Sequence, residues 1–142
     1  MKKIINLALS LAFFTACSSN VATNENPKKD FKFSKNELLK IEKIIVNDKS
    51  FEPKDAEEIP NISFDESKFY GYSGCNRFFG SYENGDNALK IGEAASTQML
   101  CHPQSVMEFE NAFLMNFKGE FKILNENDKL VLSNDIMKIY FK

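Results

Sequence analysis

The apolar residues fall in short clusters separated by polar turns, and their spacing predicts a run of strands interrupted by one helix. Residues 40–46 (Lys-Ile-Glu-Lys-Ile-Ile-Val) read as a strand that stops at Asn47-Asp48-Lys49. The acidic, proline-bounded stretch 51–60 reads as a loop, and 62–64 as a short strand. A turn over 65–68 leads into a strand over 69–73. A further strand over 77–82 meets Asn84-Gly85-Asp86, a hairpin signal, and 88–91 pairs back on it. Upstream, Ser34 and Glu37 have the spacing of a capping box and predict a short helical turn.

The helix is predicted over 103–117. Val106, Phe109, Phe113 and Phe117 recur at spacings of three, four and four, one face of a helix. These side chains are read as core. Ser105 and Glu108 form a second capping-box pattern, and Gly119 stands where a C-terminal cap glycine belongs. A meander follows, with strands over 121–124, 129–132 and 136–141. Met137, Ile139 and Phe141 alternate with polar neighbours, and Leu130 and Leu132 lie two apart, as in half-buried strands. The fold class is mainly β (α+β): a small antiparallel sandwich or barrel-like domain with one main helix, not a parallel α/β sheet.

The N-terminal part follows different rules. Lys2 and Lys3 precede an apolar run over 4–14, and small residues follow, which is a secretory signal peptide over 1–16. The run falls short of the about 20 residues that span a bilayer. Cys17 follows Phe14-Thr15-Ala16, a pattern that resembles a bacterial lipobox with Phe14 in the place usually held by Leu. Cys17 is therefore the expected lipidation site. Each buried CH₂ of an attached chain contributes roughly 0.8 kcal/mol of membrane affinity. Ser18, rather than Asp, after the cysteine favours the outer membrane, with the domain facing the periplasm. Residues 17–35 carry almost nothing to bury and read as the lipidated N-terminus and a flexible tether. Such a tether spans about 25 Å. The folded domain is then 36–142.

With 142 residues, the chain has room for one such domain. Eighteen basic and twenty acidic residues give a formal charge of −2, which argues against a nucleic-acid partner. His102 is the single histidine, so a mechanism needing two is excluded. Arg77 is the single arginine.

Candidate chemistry concentrates between Gly71 and Glu110. Gly71-Tyr72-Ser73-Gly74-Cys75-Asn76-Arg77-Phe78-Phe79-Gly80 holds three glycines, a cysteine and the arginine in ten residues. Ala95-Ser96-Thr97-Gln98-Met99-Leu100-Cys101-His102-Pro103 follows downstream. In an exported protein the pair Cys75 and Cys101 most simply means one disulfide. A metal site of Cys75, Cys101 and His102 would have three ligands and no Cys-x-x-Cys spacing. A thiol nucleophile would pair His102 with Cys75, because neighbouring side chains such as Cys101 and His102 point apart in a strand. On the residues alone all three stand open. Arg77 is a candidate anchor for a carboxylate or phosphate, or a structural residue that forms an ion pair or caps loop carbonyls beside the glycine turn. Asn76 is placed to hold the glycine turn. His102 is a helix-initiating residue or a ligand contact.

Gly74-Cys75-Asn76-Arg77-Phe78-Phe79-Gly80, then Ala95-Ser96-Thr97-Gln98-Met99-Leu100-Cys101, then Met107-Glu108 leading into a helix, resembles the META domain, or HslJ-like, family of bacterial envelope proteins. The resemblance runs from about Leu38 to Phe141. Two departures stand out: the family usually has Arg where Gln98 stands, and an aromatic residue near the first strand is replaced by Leu39 or Ile41. The resemblance implies a small antiparallel barrel-like domain closed by one helix, and a Cys75–Cys101 bond. It implies no catalytic activity and no cofactor, and a context of envelope stress or antibiotic tolerance. The expectation is a non-enzymatic, monomeric, lipid-anchored envelope protein. It would meet the membrane through its lipid and act on an unidentified envelope protein or by supporting the envelope. The alternatives are a barrel holding a small apolar ligand among its phenylalanines, and a thiol enzyme using Cys75 or Cys101 with His102.

Overall fold

A computed structural model of the chain describes residues 36–142. The expected signal peptide, Cys17, the tether and Ser34 lie outside the described residues. The elements are β1 (Leu39–Val46), β2 (Lys49–Phe51), β3 (Asn61–Asp65), β4 (Lys68–Tyr72), β5 (Arg77–Gly85), β6 (Ala88–Ile91), β7 (Ala95–Ser96), α1 (Gln104–Asn116), β8 (Gly119–Glu126), β9 (Lys129–Ser133) and β10 (Met137–Phe141). Eight strands close a barrel in the order β1-β3-β4-β5-β6-β8-β9-β10 and back to β1, every pair antiparallel. The mainly β class with one main helix is as the sequence predicts.

β1 and β5 each serve two neighbours along one edge. β1 pairs β3 through Leu39 and Lys40, then β2 through Ile44 to Val46. β5 pairs β7 through Phe78 and Phe79, then β6 from Tyr82 onward. β2 and β7 are too short to show alternation, and neither is predicted as a strand. In β1 the register against β10 slips between Ile41 and Lys43. This bulge at Glu42 changes the inward parity, so Leu39 and Ile41 face the core with Ile44 and Val46. Without the bulge a period-2 strand would turn one of these pairs to solvent.

Two-residue turns carry the β1–β2 and β8–β9 hairpins. Asn47-Asp48 and Asn127-Asp128 both have positive φ at the two central positions, the twist that right-handed hairpins need. Asn87 clasps β8, donating from Nδ2 to the Ile123 carbonyl at 3.0 Å and accepting the Ile123 N–H at 2.9 Å.

The predicted face of α1 closes the barrel core. Phe109, Phe113 and Phe117 step along the helix with ring centroids 6.5 and 4.9 Å apart. Phe78 meets Phe113 at 5.2 Å, Phe69 meets Phe117 at 5.2 Å, and Phe121 of β8 continues the series at 5.7 Å. Edge-to-face and offset rings of this kind add about 0.5–1.5 kcal/mol per pair beyond their burial.

Four local expectations are corrected. Asn36 sits in a turn at φ 63°, not in a helical turn. The Ser105–Glu108 box does not form: α1 starts after Pro103 without a side-chain cap. Ser105 Oγ donates instead to Asp55 Oδ2 at 2.6 Å, and Gln104 holds Glu108 at 3.1 Å. Gly119 opens β8 at φ 85° rather than capping the helix, which ends as the Phe117 N–H donates to the Phe113 carbonyl at 2.9 Å. β9 is buried on both faces, because Val131 lies across the register from Leu124 and Tyr140 on the outer side.

Candidate functional site

The two sequence blocks that carry the candidate chemistry meet where β5 begins. Cys75 and Cys101 form a disulfide with Cα atoms 5.8 Å apart. Both sulfurs are thereby engaged with each other, and the three-ligand metal set and the Cys75–His102 nucleophilic pair are not assembled in this state. His102 lies exposed in the segment leading to α1, followed by a cis peptide bond to Pro103. Among the described residues no group of three or more His, Cys, Asp or Glu is placed to hold a metal.

Asn76, expected to hold the turn, does more. Its side chain is buried and all four of its hydrogen-bonding positions are filled. Nδ2 donates to the Met99 carbonyl at 3.0 Å and to Glu110 Oε1 at 2.6 Å. Oδ1 accepts from Thr97 Oγ1 at 2.8 Å and from the Met99 N–H at 2.7 Å. Its backbone N–H donates to Glu110 Oε2 at 2.6 Å. Ser73 Oγ lies 2.5 Å from Glu110 Oε2 and 2.8 Å from the Asn76 carbonyl. Thr97 returns the contact, accepting the Arg77 N–H at 3.1 Å and donating its own N–H to the Arg77 carbonyl at 3.0 Å. The hub thus binds the start of β5, the 97–101 loop and α1 into one unit. Gly74 makes the approach possible at φ 110°, a conformation that a side chain resists.

Glu110 is the member that the sequence reading missed. It is 3% exposed on the helix face shared with Val106 and Phe113. A carboxylate four residues after Val106 and three before Phe113 on an apolar stripe is the signal that was available.

Beside the hub, the outward faces of β3, β4 and β5 form an open groove of about 380 Å³. Register sets its two rows. Tyr70 stands opposite Phe79, and Tyr72 stands between Asn61 and Arg77. Tyr70 is 44% exposed and Phe79 62% exposed. Leu38 and Glu58 stand at the rim. The Tyr72 hydroxyl donates to the Gly74 carbonyl at 2.8 Å, and the Tyr70 hydroxyl to Asn36 Oδ1 at 2.9 Å. Burial pushes the Tyr72 phenol above its ordinary value, Glu58, Glu57 and Glu110 add to this, and Arg77 opposes it. Arg77 is exposed, and no ion pair joins its guanidinium to another described residue. The structural ion pair does not form among the described residues, and the anchor role remains open to Arg77. Gly71 lies under this face because a Cβ there would fall 2.0 Å from the Asn61 carbonyl oxygen.

The META domain family matches residues 44–141. A protein from Burkholderia xenovorans solved by NMR is similar in fold, with a TM-score of 0.61 at 20% identity over 76% of this chain and 81% of that one. A second NMR structure has a TM-score of 0.57 at 25% identity, covering 76% of this chain and 89% of that one. No curated protein matches. Both blocks that form the disulfide and the Asn76 hub fall within the matched residues, and the chain belongs to the META domain family.

Proposed function

We propose that this chain is a non-enzymatic, lipid-anchored protein of the cell envelope that works by binding, in the context of envelope stress or antibiotic tolerance. One observation carries the reading. The residue types that could do chemistry are engaged in scaffolding, Cys75 with Cys101 and Asn76 with Glu110, beside an outward face with exposed aromatics. A disulfide also suits an oxidising compartment, in line with export. The alternative of an apolar ligand inside the barrel is disfavoured, since the phenylalanines that would line such a cavity pack on one another. Anchoring rests on Cys17 and the pattern before it.

Fractionation of cells expressing the chain tests this. The expected result is membrane association that is lost in Cys17→Ser, together with retention of the signal peptide under globomycin. Unchanged membrane association and processing in both would sink the anchored reading.

A further inference from the structure

The groove on β3, β4 and β5 is neither core nor part of the disulfide hub, and its chemistry is specific enough to select a ligand class. Its aromatic row, Tyr70 and Phe79, offers two exposed side chains from directly opposed positions, about 4.5–5.5 Å apart at Cβ. Its polar row offers acceptors: the Tyr72 phenol oxygen, whose proton is held by Gly74, and the Glu58 carboxylate, with the buried Asn61 beneath them. Against these acceptors stands one strong cationic donor, Arg77, without an ion pair to another described residue. A complementary ligand therefore has an apolar ring face, several hydroxyl or amide donors, and one carboxylate for the guanidinium fork.

An extended peptide meets these demands poorly. Strand addition needs a free edge, and within this face β3 lies between β1 and β4, β4 between β3 and β5, and β5 between β4 and β7. Nucleic acid is disfavoured by a single arginine in a groove that Glu58 also lines. The volume, about 380 Å³, lies at the lower end of small-ligand sites, the size of one or two sugar rings. We infer that this groove binds a carboxylate-bearing saccharide, its ring face on Tyr70 and Phe79 and its carboxylate on Arg77. The inference takes from the preceding reading only the choice of extracytoplasmic sugars as probes.

Titration calorimetry on the full chain in detergent tests it, with glucuronic acid and N-acetylmuramic acid as probes. Glucose and N-acetylglucosamine are the neutral counterparts, and acetate is the bare anion. The acidic sugars are expected to bind in the millimolar range, at least about tenfold more tightly than either neutral sugar or acetate. Arg77→Gln should bring the acidic sugars to the neutral level, and Phe79→Ala should weaken acidic and neutral sugars alike. Both side chains are exposed, so unchanged unfolding midpoints are expected; if either variant fails to fold, the comparison of probes on the unaltered chain decides. Three outcomes would overturn the inference: no heat with any sugar, acidic and neutral sugars bound alike, or acetate bound as tightly as the acidic sugars. Because the assay reads binding in solution, Cys17→Ser should bind as well as the unaltered chain, so a failure of anchoring and a failure of binding are distinguished.

Discussion

Asn76 and Glu110 show how much of this fold hangs on two polar side chains. The amide of Asn76 has no hydrogen-bonding capacity left over, and Glu110 accepts from the Asn76 amide, the Asn76 N–H and Ser73. A buried donor left without its acceptor costs about 1–3 kcal/mol. Glu110→Ala removes the acceptor of several donors at once, so we expect urea unfolding to report a loss of at least about 3 kcal/mol. Glu110→Gln keeps one acceptor oxygen but turns an NH₂ toward a donor, and a smaller loss is expected. A loss below about 1 kcal/mol in Glu110→Ala would mean that water replaces the carboxylate without penalty. Asn76 was legible because an asparagine after a glycine turn has a local job. Glu110 was legible only as a carboxylate on the apolar stripe of α1; its partner lies 34 residues away, and local spacing carries no record of that contact.

The elements differ in how plainly their pattern announces them. α1 was readable from four apolar positions, and β6 from a hairpin signal, because burial on one side imposes a period. The capping boxes were misleading for a physical reason: Ser105 has a better partner in Asp55, and Pro103 already fixes the start of the helix. β7 has two residues, and two residues have no period. At this scale the disulfide is the testable joint. It ties the turn before β5 to the segment before α1 across a sequence separation of 26, for which chain entropy gives about 3.5 kcal/mol of stabilisation. Reduction, or the double variant Cys75→Ala with Cys101→Ala, should lower unfolding stability by about that amount. Circular dichroism should still show the barrel if the Asn76 hub is sufficient to hold the 97–101 loop, and its loss would assign the loop to the sulfur bridge alone.

Across the whole barrel, charge pairs clasp strands that are not neighbours in the sheet. Lys129 donates to Glu42 at the β1 bulge. Glu126 at the end of β8 accepts from Lys138 at 3.1 Å and from the Tyr140 hydroxyl at 3.0 Å, both on β10. The Lys129 hydrogen bond holds the Glu42 carboxyl below its ordinary value, and Lys138 followed by Tyr140 does the same for Glu126. A depressed carboxyl stabilises the fold above its unfolded value and ceases to do so as pH falls through the folded one. Stability should therefore be steady from neutrality to about pH 5 and fall below about pH 4. Urea midpoints against pH read this, and Glu126→Gln should flatten part of the acid slope. A slope unchanged in that variant would assign acid sensitivity elsewhere. The Lys129–Glu42 pair is exposed and the Lys138–Glu126 pair is half-buried at the surface, so the effect is small and weakens with salt.

The barrel closes by setting its first strand against its last, Ile41 beside Phe141. A chain made from its N-terminus delivers β1 early and β10 after every other barrel strand. The hairpins and the Cys75–Cys101 bond are within reach of a growing chain, but the closing seam is not. During that interval β1 and β9 present open edges, which are templates for pairing with the wrong neighbour. Pairings so remote in sequence also place the fold among the slower topologies. Completion, rather than initiation, is thus the vulnerable stage in the life of this molecule, and it is the stage at which a chaperone would do most good.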